Sequence, residues 1–153
     1  MRTPLENLKI EDARIIWKNF TGAESKFNRP GDRNFCVVIE DPDLISALKD
    51  EGWNVKPLKQ RDGDEDLPQN YYIPVSVSYK IRPPKIEMHT SKATIILNED
   101  TVSTLDFADI LSIDLVLRPR KYELATGASG VKAYLKTMHV TIEEDEFGDK
   151  YAR

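Results

Sequence analysis

The sequence predicts a mainly β domain: a small, closed or partly open β-barrel over residues 1–142, with one short helix after its second strand and a mobile acidic tail over 143–153. Three observations predict it. Several short runs alternate apolar with polar side chains, the period of a half-buried strand. Clusters of Gly, Pro, Asn, Asp and Ser separate those runs. Only one stretch, opening at Asp41-Pro42, carries strong helix signals. Many short strands with a single helix argue for a barrel, with an antiparallel sandwich as the main alternative.

Leu8 to Phe20 places Ile10, Ile16 and Phe20 on one parity and Ala13, Ile15 and Trp17 on the other. It reads as a strand, although periodicity alone also admits a helix. Thr21 to Arg33 is a loop, rich in turn-forming residues. Asn34 to Glu40, dense in β-branched and aromatic residues, returns as a strand. Asp41 then offers an N-cap, Pro42 fits the first helical position, Leu44, Ile45 and Leu48 make an apolar stripe, and Gly52 stops the helix. Val55 to Leu58 is a brief strand and Arg61 to Asn70 an acidic loop. Tyr71 to Ile81 alternates cleanly, with Pro74 marking an edge or a bulge. Lys85 to Met88, Lys92 to Leu97, Leu111 to Arg118 and Val131 to Ile142 complete the strands, and Ser103 to Asp109 fits a single helical turn. Gly127 and Gly130 form a turn before the last strand.

The chain has 153 residues, 40% hydrophobic and 31% charged, which suits one globular domain with its own core. No apolar run is long enough to span a membrane, and the N-terminus has no secretory apolar region. The single cysteine, Cys36, precludes an internal disulfide and fits a reducing cytoplasm. The net charge of −4 is concentrated. The tail from Glu143 holds five acidic and two basic residues, and Asp62, Asp64, Glu65 and Asp66 add four acids. The remaining 17 acidic and 20 basic residues leave the body at +3, so a basic face is allowed.

Catalytic and metal-binding constellations are scarce. His89 and His139 lie far apart with no partner at ligand spacing, and Cys36 sits in an apolar strand as a small core residue. Neither a metal site nor a cofactor is expected. Asp62, Asp64 and Asp66 begin like a calcium loop, but Gly63 is misplaced and Ile73 stands where a bidentate Glu belongs. No phosphate-binding glycine motif is present. The chain is therefore not expected to be an enzyme.

Basic residues beside aromatic rings recur in four segments, the composition that single-stranded nucleic acid needs: rings to stack bases and cations to follow phosphates. The segments are Trp17-Lys18-Asn19-Phe20; Lys26 to Arg29 with Phe27, followed by Arg33; Tyr79-Lys80-Ile81-Arg82 with Lys85; and Arg118, Arg120, Lys121 and Tyr122. On the last strand, Lys132, Tyr134 and Lys136 share one face by period two. Met138, Val140 and Ile142 continue the same parity, so beyond Lys136 either the face changes character or a bulge intervenes. Each segment alone is also what a solvated strand edge looks like. Trp17 fits a core position as well as a platform, and Trp53, Tyr71 and Tyr79 fit the core better.

Two stretches, NFTGAESKFNRPGDRNFCVVIE and GVKAYLKTMHVTIEEDEFGDKYA, resemble phage-encoded single-stranded DNA-binding proteins of the oligonucleotide/oligosaccharide-binding (OB) fold class. The helix after the second strand and the acidic C-terminus match as well. The resemblance implies an OB-like barrel that coats single-stranded DNA during phage replication or recombination in the host cytoplasm. It implies DNA contacts at Trp17, Phe20, Phe27, Arg29, Arg33, Tyr134 and Lys136, to which Lys18, Arg82 and Lys132 are added as phosphate partners. The acidic tail is expected to contact replication or recombination proteins, and a homodimer is left open. Two other readings stand beside this one: a self-associating phage assembly domain, and a metal-dependent nuclease or hydrolase using the acidic loop.

Overall fold

The computed structural model describes residues 5–26, 28–63, 66–80 and 82–143. Nine strands are present among them: β1 (Leu8–Ile10), β2 (Arg14–Asn19), β3 (Arg33–Ile39), β4 (Lys56–Pro57), β5 (Tyr71–Val77), β6 (Lys85–His89), β7 (Thr94–Leu97), β8 (Ile110–Glu123) and β9 (Ser129–Ile142). Helix α1 (Pro42–Glu51) follows β3, and a 3-10 turn covers Val102–Asp106. The hydrogen-bonded order is β1-β8-β9-β5-β3-β2, with β4 added to β5 and the β6–β7 hairpin added to β9.

The expected first strand is two. Asp12 takes a positive φ of 52° and turns the chain between β1 and β2, its N–H held by the Asp114 carboxylate at 2.8 Å. A short corner of this kind sends β1 to β8 and β2 to β3. Between β1 and β2 the Ala13 N–H donates to the Ile113 carbonyl of β8 at 2.7 Å. The sheet curls but does not close, so the barrel is a partly open one. The helix signals act as expected. The Asp41 carboxylate accepts the Asp43 N–H at 3.0 Å, Pro42 opens the helix, and Gly52 at φ 92° caps its end. Ile45 and Leu48 face inward, and Trp53 after the cap is buried against the start of β9.

β9 organises the site. Its 14 residues pair antiparallel with β8 along nearly their whole length. On the other side it forks: Ala133 and Tyr134 run parallel to Val75 and Ser76 of β5, while Thr137 to Thr141 run parallel to β6. Between those contacts the register slips. Val116 faces Thr137 but Leu117 faces Leu135, so Lys136 is an extra residue in a bulge. The slip explains the apolar parity change: Val131, Ala133 and Leu135 point into the core before it, and Met138 and Val140 after it. The inward residues of β3, β5 and β8 complete one contiguous core with Phe20, Leu48 and Leu105. β8 runs five residues beyond the expected Arg118, and β5 stops at Val77 rather than Ile81, which lies outside the described residues. Among the described residues, no helix is long and apolar enough to cross a membrane.

Candidate nucleic-acid interface

The outer face of the curled sheet carries the basic and aromatic residues. Pairing places Arg118 opposite Tyr134 and Arg120 opposite Lys132, then Tyr134 beside Ser76, then Ser76 beside Asn34, and Asn34 beside Asn19. Five strands thus lay one polar, cationic row across about 19 Å, four inter-strand spacings. Along this row lies a groove of about 690 Å³ walled by Arg33, Lys80, Arg82, Arg118, Arg120 and Lys132, with the rings of Tyr79 and Tyr134 among them. Asn34, Ser76 and Lys132 also line an adjoining hollow of about 460 Å³ that reaches Trp17. Asp32 and Glu99 are the acidic residues at the groove's wall.

Cations sit against the rings. The Lys132 ammonium is 5.1 Å and the Arg118 guanidinium 5.9 Å from the Tyr134 centroid. Arg33 lies 5.6 Å from the Tyr79 ring and pairs with the Glu99 carboxylate at 3.6 Å. The Tyr79 hydroxyl and the Arg33 Nε are buried without hydrogen-bond partners. Burial pushes the Tyr79 phenol up, against the lowering influence of Arg33 and with a further raise from Glu99.

Trp17 reaches the groove through a second bulge. Ile16 faces Cys36 and Asn19 faces Asn34, so Trp17 and Lys18 together oppose Phe35. Trp17 adopts φ 53°, a conformation that costs a bulky residue roughly 1–2 kcal/mol. The bulge turns its indole outward, 61% exposed and perpendicular to Tyr72 at 5.0 Å. The loop beyond β2 is held at the groove's edge by its asparagines. Asn19 accepts the N–H groups of Gly22 and Ala23, and Asn28 donates to Ala23, Arg29 and Asp32 carbonyls. Its neck is tight: a Cβ on Gly22 would stand 3.0 Å from the Gly31 backbone, and Gly22 itself has φ 76°. Arg29 is exposed on this loop, and Phe27 lies outside the described residues.

Four of the expected site residues line the groove, namely Arg33, Arg82, Lys132 and Tyr134, and Trp17 lines the adjoining hollow. Lys136 is exposed at the β9 bulge, apart from the groove lining. Two expectations are corrected. Phe20 is 0% exposed, packed on Phe35 at 5.5 Å, and no base can reach its ring. Lys18 turns away from the groove. Its ammonium donates to the Leu105 and Ala108 carbonyls at 2.8 and 3.5 Å, so it ties β2 to the 3-10 turn rather than to phosphate. Arg118, Arg120 and Lys80 join the groove from the basic-aromatic segments, as does Tyr79, the ring of one of them, which was expected in the core and both packs against it and lines the groove. Trp53 is core as expected.

Cys36 is not a core residue either; it is half-buried on this outer face, opposite Ile16 and Pro74. Burial pushes its thiol from 9.0 up to about 11, partly opposed by the Lys56 ammonium. Two units cut the reactive thiolate about 100-fold at neutral pH. Alkylation by iodoacetamide near pH 7.5 is therefore expected to run about 100-fold slower than for an unburied cysteine, and to accelerate as pH rises toward 11. A rate equal to that of a free thiol would contradict the packing described.

A curled, partly open β-sheet with a cationic, ring-bearing groove across its outer face has the form of an OB-like binding domain. The chain belongs to the family described as "Putative phage ssDNA-binding domain", whose model matches residues 1–153. It is similar in fold to the single-stranded DNA-binding protein of bacteriophage Enc34. The structure of that protein in complex with ssDNA matches at TM-score 0.56 and 11% identity, covering 93% of this chain and 89% of that one. A C-terminally truncated form matches at 0.55 and 11%, covering 91% and 87%, and another structure of the protein at 0.54 and 13%, covering 96% and 87%. Among curated protein sequences, none matches the chain significantly.

Proposed function

We infer that this chain binds single-stranded DNA with little regard to sequence, laying the strand along the outer groove from Arg82 and Arg120 past Tyr134 toward Trp17. The observation that carries the reading is the groove itself: six cationic side chains flank two tyrosine rings, and the hollow beside it opens onto an exposed tryptophan. Cations meet phosphates, and flat rings accept any base, so neither contact selects a sequence. Membership of a phage ssDNA-binding family supports the same reading. The work of such a protein is to coat exposed strands during phage replication or recombination, without catalysis or cofactor.

The test is fluorescence anisotropy of a labelled oligo-dT of about 30 nucleotides at several salt concentrations, with unlabelled duplex as competitor. Salt-sensitive binding that duplex fails to displace is the expected result. Each neutralised phosphate on a single strand contributes a slope of about −0.7 in log K against log salt. Replacing Arg118, Arg120 and Lys132 together by Gln is therefore expected to flatten the slope by about 2. Lys18→Gln should leave the slope unchanged, because that ammonium already serves two carbonyls. No binding at low salt, or a slope indifferent to the triple substitution, would sink the reading. Incubation with magnesium or manganese, followed by analysis of the DNA for cleavage, decides against or for a nuclease.

A further inference from the structure

A second cluster lies further along β9, past the Lys136 bulge. Glu87 and His89 alternate outward on β6, and the parallel register sets Glu87 opposite His139 of β9. Ile86, Met88, Met138 and Val140 point the other way into the core, so the three polar side chains share the outer face, each half-buried. His89 Nε2 is 3.0 Å from His139 Nδ1, His139 Nδ1 is 2.9 Å from Glu87 Oε2, and the third edge is 3.9 Å. Zinc bonds to His nitrogen and carboxylate oxygen are about 2.0–2.2 Å, which puts the ligand atoms of a tetrahedral site about 3.3–3.5 Å apart. The triangle averages close to that spacing and has the size of one face of such a tetrahedron.

Hydrogen bonding explains the convergence poorly. His139 Nδ1 offers either one N–H or one lone pair in the ring plane, yet two partners approach it. A cation at the centre would satisfy all three atoms at once. The surroundings are those of a held ligand set. His89 Nδ1 lies 3.0 Å from Thr94 Oγ1, which fixes the ring so that Nε2 faces the cluster. Glu87 turns its other oxygen to Lys85 Nζ at 4.0 Å, leaving Oε2 for the centre. Asp114, the cross-strand partner of His139, has its carboxylate engaged by the Asp12 N–H.

We propose that Glu87, His89 and His139 form a binding site for a late first-row divalent cation, zinc above all. Glu87 Oε2, His89 Nε2 and His139 Nδ1 supply three positions and water the fourth. Two imidazoles with one carboxylate suit zinc, nickel or copper, whereas magnesium and calcium prefer all-oxygen shells. The ion would clamp β6 to β9. The pair is invisible in the sequence because 50 residues separate the histidines and only a parallel pairing joins them.

The experiment uses the full, untagged chain stripped of metal by a chelator, titrated with zinc against a chromophoric competitor. One zinc per chain is expected, at micromolar affinity or tighter, with His89→Ala, His139→Ala and Glu87→Gln each weakening it at least about tenfold. Cys36→Ser should leave it unchanged. Zinc at about 100 µM is expected to raise the Tm of the wild type and not that of His139→Ala, and magnesium should raise neither. Cobalt bound to the wild type should show the intense visible bands of a tetrahedral site, a readout that does not depend on how well any variant folds. Absence of stoichiometric zinc binding, variants that bind as the wild type does, or a cobalt spectrum of octahedral type would overturn the proposal. None of these readouts involves DNA, so the outcome is independent of the groove's function.

Discussion

Trp17→Ala is expected to weaken binding of oligo-dT by about 5- to 150-fold, and Tyr134→Ala by a similar factor. A base stacked on an aromatic ring contributes roughly 1–3 kcal/mol. The two rings stand in different parts of the row, Tyr134 between Arg118 and Lys132, and Trp17 in the hollow beyond Lys132. If they hold different bases, their losses add to about 2–6 kcal/mol in the double variant. The salt slope should stay near the wild-type value, because no phosphate contact is removed. Loss of affinity with an unchanged slope separates stacking from charge.

The backbone supplies a control. At φ 53°, Trp17 occupies a region that alanine also resists and glycine does not. Trp17→Gly is therefore expected to be more stable than Trp17→Ala by about 1 kcal/mol, while both bind DNA equally poorly. The strain is kept at a ring that is 61% exposed and whose aromatic contact is edge-on with Tyr72. That is the pattern of a residue positioned for contact. Binding of Trp17→Ala within twofold of wild type would remove the ring from the interface.

Most of the fold was legible because most of it follows local rules. The Asp41-Pro42 start and Gly52 stop of α1, the alternation of β5 and the turn before β9 each depend on neighbours in sequence. The exceptions are places where one residue breaks the period. Alternation puts Trp17 on the face of Ile15, which packs on the core; a one-residue bulge puts it outside. The Lys136 bulge was foreshadowed, since Leu135 gives way to Met138 at an odd spacing that an unbroken strand cannot bury on one face. The Trp17 bulge leaves a similar change of parity, from Ala13 and Ile15 to Phe20, but the apolar Ile16 on the outer face opposite Cys36 hides it in the sequence.

The site was legible as composition and less so as placement. Asking where cations accompany rings picks Arg33, Arg82, Lys132 and Tyr134, all of which line the groove. The same question also picks Lys18, whose ammonium is taken by the carbonyls of Leu105 in the 3-10 turn and Ala108 just after it, more than 80 residues away. A sequence window cannot show such a partner. Tyr79 is picked by the same question but assigned to the core, against which it does pack. Its parity belongs to the core face of β5, but the strand ends at Val77 and the ring forms part of the groove wall.

Phe20 shows how far burial overrides resemblance. It sits among rings and cations in sequence, yet Phe20→Ala is expected to destabilise the domain by about 3–5 kcal/mol. The ring is fully buried and stacked obliquely on Phe35, so its removal loses both transfer energy and contacts that cannot reform across the cavity. The backbone there is pinned as well. Asp106 accepts the Phe20 N–H at 2.8 Å, and the Thr21 N–H and hydroxyl at 2.8 and 2.6 Å, which prevents the segment from collapsing into the void. Set against the 5–15 kcal/mol typical of a whole domain, such a loss takes roughly a fifth or more of the stability. Urea denaturation should show a lower midpoint at an unchanged slope. Phe20→Leu, which refills most of the volume, should recover most of it, and the folded fraction of either variant should bind oligo-dT as the wild type does. A Phe20→Leu protein that is stable but binds DNA at least about tenfold more weakly would return this residue to the interface and require the core around Phe35 to open when DNA binds.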